Sequence, residues 1–166
     1  MSIQRPPTAM VLAGRAFKEA FDALKGGPRA ILRRADDPMC VAPFWECFQK
    51  ARECHENVRP RFFAAIIPLM DLLRQKDDVS RRSVGGLLAT HRGKIALRRV
   101  ESLFAAESLE EAIENLDSIF GILGREASID YGRLFDDLRK FGATEESRAG
   151  VRRRWAETYF GGGKHV

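Results

Sequence analysis

Long apolar runs are missing from this chain. The longest, FFAAIIPLM from Phe62 to Met70, contains a proline and falls well short of the about 20 apolar residues that a bilayer crossing needs. It reads as a buried helix segment. Met1 to Met10, MSIQRPPTAM, has no apolar signal core, which predicts a cytoplasmic protein with no membrane partner. Cysteine and histidine are scarce, with three of each. Cys40, Cys47 and Cys54 repeat every seven residues. On a helix that spacing separates neighbours by about 10 Å, whereas the ligands of one zinc all lie about 2.3 Å from it. An odd count in a cytoplasmic chain also argues against a disulfide framework, so the three are expected to be small core residues.

Catalytic signatures are missing as well. The sequence holds no Walker lysine, no GxSxG elbow and no HExxH pair. The adjacent carboxylates Asp77-Asp78, Glu110-Glu111, Asp136-Asp137 and Glu145-Glu146 point about 100° apart if helical, so none converges through spacing alone. SVGG, at Ser83 to Gly86, lacks the strand that precedes a phosphate-cradling loop, and close helix packing through Gly85 and Gly86 is the expected use. The expectation is a protein that is not an enzyme, with no cofactor and no metal.

Hydrophobic residues make up 45% of the 166 residues and charged residues 31%, a balance that suits one folded domain or two small lobes. The net charge of +5 conceals a marked polarity. Residues 74–100 carry eight basic against two acidic side chains, and residues 101–137 carry two against ten. Such a distribution suits a polyanion on one side and a basic neighbour on the other.

No segment alternates with period 2, and apolar residues recur at helical spacing nearly throughout, so the class is all-α. Thr8 can cap a helix from Ala9 to Lys25, with Met10, Ala13, Phe17, Ala20, Phe21 and Leu24 inward and Gly26-Gly27 ending it. Pro28 opens a short helix with Ile31 and Leu32 inward, and Arg29, Arg33 and Arg34 on or beside one face. Pro43 and Pro60 open two more helices, the second kinked at Pro68. Ile95 to Ala106 reads as a helix with Leu97, Val100, Leu103 and Phe104 on its core face. A capping box at Ser108 to Glu111, Asp130 and Thr144 each start a helix in the C-terminal part, and Gly124, Gly142 and Gly161 close them. The expected organisation is a two-lobed helical bundle with a basic face, divided into residues 1–78 and 79–166.

The stretch from Arg81 to Phe104, RRSVGGLLATHRGKIALRRVESLF, sets arginine pairs on either side of a small-residue segment, with His91, Arg92 and Lys94 between. Basic groups on a rigid element suit phosphates or an acidic partner; the plain alternative is a solvated basic face.

GPRAILRRA at Gly27 to Ala35, SVGGLLATHRGKIALRRVESLF at Ser83 to Phe104, and the closing IDYGRLFDDLRKFG and VRRRWAETYFG segments resemble the CasB family. That family is the small subunit of the type I-E CRISPR Cascade complex. The resemblance covers nearly the whole chain, in the family's order. It implies a two-lobed helical protein without catalytic activity, two copies of which lie head to tail beside the subunits that hold the CRISPR RNA and the large subunit. It also implies a basic surface that stabilises the R-loop, chiefly by holding the displaced non-target DNA strand. On that resemblance Arg33 and Arg34 match the basic pair of the first motif, and Arg92, Lys94, Arg98 and Arg99 match the central basic segment. Arg29, Arg81 and Arg82 join them through closeness in sequence and charge. Arginines on helices would contact phosphates while RNA–DNA pairing supplies the specificity. In departure from single-strand binders that stack bases, no aromatic lies between Met70 and Phe104, so the expectation is an electrostatic groove without stacking. Two rivals remain: a helical adaptor whose basic face docks on an acidic partner, and a helix-turn-helix regulator built on SVGGLLATHRGKIALRR.

Overall fold

Residues 8–73 and 82–161 are described in a computed structural model of the chain. Every regular element among them is helical. The helices are α1 (Ala9–Ala23), α2 (Gly26–Arg34), α3 (Ala42–Cys54), α4 (Pro60–Met70), α5 (Val84–Thr90), α6 (Leu97–Phe104), α7 (Leu109–Leu123), α8 (Tyr131–Ala143) and α9 (Glu145–Phe160). Short 3-10 turns span Pro38–Cys40 and Gly124–Glu126. Among the described residues no helix is long and apolar enough to cross a membrane. The chain divides into two compact units, Met1–Ala64 and Ala65–Val166, with the division inside α4. The boundary expected at residues 78 and 79 lies outside the described residues.

The N-terminal unit is built on α1 against α3. Thr8 caps α1 by accepting the Val11 N–H at 3.2 Å. The Phe17 ring stacks on Phe63 with centroids 4.7 Å apart and meets Phe44 at 5.9 Å. Beside these rings lies a fully buried cation that the apolar pattern did not reveal. Lys18 sits one residue from Phe17 on the core face, and its ammonium meets the Asp22 carboxylate at 2.5 and 2.6 Å. Pairing at i, i+4 is what allows the charge to be buried.

Two expectations for this unit are corrected. Leu32 is buried, but Ile31 is 53% exposed, because neighbours on a helix point about 100° apart and a narrow contact accepts one of them. Cys47 alone of the three cysteines is buried. Cys40 lies in a 3-10 turn and Cys54 is the last residue of α3, so neither position faces a core. Burial, with Glu46 adding to it, pushes the Cys47 thiol up to about 12.

In the C-terminal unit α9 packs on α5, α8 and α6. The contact with α5 is close because Gly85 has no side chain: a Cβ there would clash with the Trp155 carbonyl oxygen and lie 2.8 Å from Thr158 Cβ. Gly85 therefore serves the packing role expected of it, whereas a Cβ on Gly86 would meet only Arg82 and Ser83 of its own segment. Trp155 stacks on Phe141 at 5.9 Å and donates its indole N–H to Asp137 at 3.0 Å, tying α9 to α8. Burial raises the Asp137 carboxyl above its ordinary range, against the pull of Trp155 and Arg154.

The caps fall where the sequence set them, with altered detail. Ser108 accepts the Glu111 N–H at 3.1 Å, but Glu111 reaches back to the N–H of Glu107. Thr144 forms a reciprocal box with Ser147. Gly142 lies within α8, facing Leu109. Gly124, at φ +57°, ends α7 as expected, in a conformation that favours glycine.

Candidate nucleic-acid interface

After α5 the basic stretch continues as a turn and a short helix, where a continuous helix from Ile95 was expected. Ala96 is extended and α6 starts at Leu97. The amides of Lys94 and Ile95 close back on the His91 carbonyl at 3.0 and 3.2 Å, and Ile95, 2% exposed, anchors the turn in the core. Arg98 and Arg99 are thus on a helix, while Arg92 and Lys94 are on a turn. Of the expected α6 core face, Val100 and Leu103 are buried and Leu97 is 52% exposed.

Arg98 and Arg99 border the same cleft. With Ser102 of α6 and Asn115 of α7 they line a shallow, open cleft of about 340 Å³. Arg99 is oriented by α7, donating to the Ser118 hydroxyl at 2.7 Å. Asn115 donates one amide hydrogen to the Glu111 carbonyl at 2.9 Å. The Arg98 guanidinium and the Ser102 hydroxyl have no protein partner among the described residues, so both can donate to an incoming anion. Ser102 stands four residues after Arg98, a spacing that helical geometry makes neighbours; Asn115 and Ser118 come from α7, which only folding brings near.

The turn residues are occupied differently. Lys94 pairs with the Glu126 carboxylate. That hydrogen bond, then the charge of Lys94, then that of His91, holds the Glu126 carboxyl below its ordinary range. Arg92 donates to the Tyr159 carbonyl, and its guanidinium lies 4.6 Å from the Tyr159 ring centroid. Arg82 precedes α5 and accepts the Asp130 N–H on its carbonyl at 3.1 Å. Arg81 lies outside the described residues. On α2 in the N-terminal unit, Arg33 and Arg34 are exposed, while Arg29 is drawn over the Phe21 ring at 4.9 Å, with Asp22 3.9 Å away.

The aromatics absent from the basic stretch are supplied in space by α9. Phe104, Tyr159 and Phe160 form a cluster of edge-on rings beside Arg92. Other arginines of the C-terminal unit brace helix ends: Arg152 donates to the Ala106 carbonyl at 3.0 Å and Arg148 to that of Phe141 at 3.0 Å. Among the described residues no group of three or more His, Cys, Asp or Glu side chains could hold a metal ion.

The family model of CRISPR-associated protein Cse2 matches residues 28–160. The chain belongs to the Cse2 family. This is the CasB-like family that the motifs resemble, and the match takes in most of α2 and all of α3 to α9. No curated protein and no solved structure matches the chain. For a Cse2-family protein, basic groups on a helical surface fit a role in contacting nucleic acid or protein neighbours within a CRISPR system.

Proposed function

We propose that this Cse2-family protein is the non-catalytic small subunit of a type I-E CRISPR effector complex, binding phosphate backbone to stabilise the R-loop. The family match over residues 28–160 carries the reading. The cleft between α6 and α7 supports it, because Arg98 and Ser102 offer open donors beside an arginine already oriented by Ser118. Donors fixed on helices hold a phosphodiester without reading its base, which suits a strand of any sequence. In this reading the displaced non-target DNA strand is the main ligand, with the CRISPR RNA and target DNA near it. A second copy of the chain, head to tail, the RNA-binding subunits and the large subunit are its neighbours, in the cytoplasm.

A tagged pull-down of the native complex tests the assignment. Repeated RNA-binding subunits with short RNAs of uniform length are expected to co-purify. Recovery of one acidic partner without nucleic acid would overturn the reading and make the basic surface a protein dock. For the cleft, Arg98→Glu is expected to weaken single-stranded DNA binding whatever the sequence. It should make the slope of log K against log salt shallower by about 0.7 for each phosphate the protein no longer neutralises; an unchanged slope refutes direct contact.

A further inference from the structure

Phe160, at the end of α9, is 60% exposed, the most exposed of the large hydrophobic side chains in the described residues. Its ring is not loose. It meets Phe104 at 6.1 Å and 68°, and Tyr159 at 5.0 Å and 81°. Tyr159 is itself 5% exposed and clasped by Arg92, through its ring and its carbonyl. Both neighbours of Phe160 therefore meet it edge to face, and no ring among the described residues lies parallel to it. A held aromatic with no parallel partner, one residue from a carbonyl that carries a guanidinium, combines the two parts from which single-strand sites are made. One is a flat apolar face, and the other is a cation for the adjoining phosphate.

We infer that the Phe160 ring is a stacking platform for one unstacked base of a single strand, with Arg92 on the neighbouring phosphate. This inference rests on the nucleic-acid reading above and adds to it a contact that charge alone does not supply. The surroundings favour a base over an apolar protein segment. Glu157 and Arg153, one and two turns back along α9, are exposed charges of opposite sign, which offset each other toward a phosphate strand, whereas the core of a protein interface is depleted of charge of either sign. A single base needs only the ring itself, and every base has a π face, so the platform is indifferent to sequence.

The test uses the full chain at low salt with two probes of equal length and charge: an oligodeoxythymidylate and the same strand with abasic sites. The parent is expected to prefer the strand with bases by about fivefold or more, the worth of at least one stacked base. Phe160→Ala should lose that preference while keeping the salt dependence of the parent. Phe160→Tyr and Phe160→Trp should retain it, which separates stacking from a folding defect. Equal preference in the parent and in Phe160→Ala would overturn the platform and leave the electrostatic reading standing. Absence of salt-dependent binding to either probe would overturn both.

Discussion

Replacing Gly85 with alanine bears on the contact that positions this surface. The new methyl carbon would sit 2.8 Å from Thr158 Cβ and closer still to the Trp155 carbonyl oxygen. Ordinary carbon contacts begin at about 3.5 Å, so α5 and α9 must part by something over half an ångström. No rotamer relieves the clash, because one obstacle is backbone and the other is a Cβ. Trp155 is held meanwhile by Phe141 and Asp137. Overpacking of this kind costs about 1–3 kcal/mol, and the better helix propensity of alanine returns up to about 1 kcal/mol. With backbone as one obstacle the upper part of that range applies, about 2–3 kcal/mol, so a net loss of about 1–2 kcal/mol is expected. Gly150, interior to α9 with nothing within 4 Å of a Cβ, is the control: Gly150→Ala should gain stability of up to about 1 kcal/mol. Urea unfolding reads both as shifts of the midpoint in opposite directions at constant slope. Separation of α5 from α9 would also draw Arg92 off Tyr159, so Gly85→Ala should weaken the preference for a strand with bases. A Gly85→Ala protein as stable as the parent would refute the close-contact argument.

Asp137 makes stability depend on pH. Its carboxyl is raised in the folded chain, chiefly by burial, so folding favours its protonated form. That stabilising contribution is present in acid and is lost as pH rises through the raised value. The parent should therefore gain stability relative to Asp137→Asn as pH falls into the carboxylate range, as read by thermal melts across pH; a constant difference would refute the assignment. Thiol accessibility is a separate expectation. At about pH 8, just below the ordinary thiol range, a disulfide reagent should titrate Cys40 and Cys54 in the native protein and Cys47 only on unfolding, since the Cys47 thiol is buried and raised to about 12. Cys54 should react before Cys40, whose thiol is raised by its hydrogen bond to Asp37; three fast thiols would show that Cys47 is not enclosed.

Local chemistry was legible from the residues. Thr8, Ser108, Asp130 and Thr144 start helices where they stand, because capping depends on a side chain and an amide three residues away. The stripes of α7 and α8 were legible for the same reason: a helix repeats about every 3.6 residues and its inward positions follow. The motifs shared with the family span most of the chain, and the family model agrees.

What sequence spacing could not decide is which polar group finds which partner. The basic residues of the two motifs looked alike as charges, yet folding gave them different surroundings. Lys94 pairs with Glu126, Arg92 clasps Tyr159, and Arg99 is oriented by Ser118. Each of these partners lies on another element, so none of the pairings could be read from local spacing. The same holds for Phe160, far from Arg92 in the chain and next to the tyrosine that Arg92 clasps in the fold. Helix periodicity is a property of neighbours along the chain and is written in the sequence. The field and shape of a binding surface arise from residues that only tertiary packing brings together.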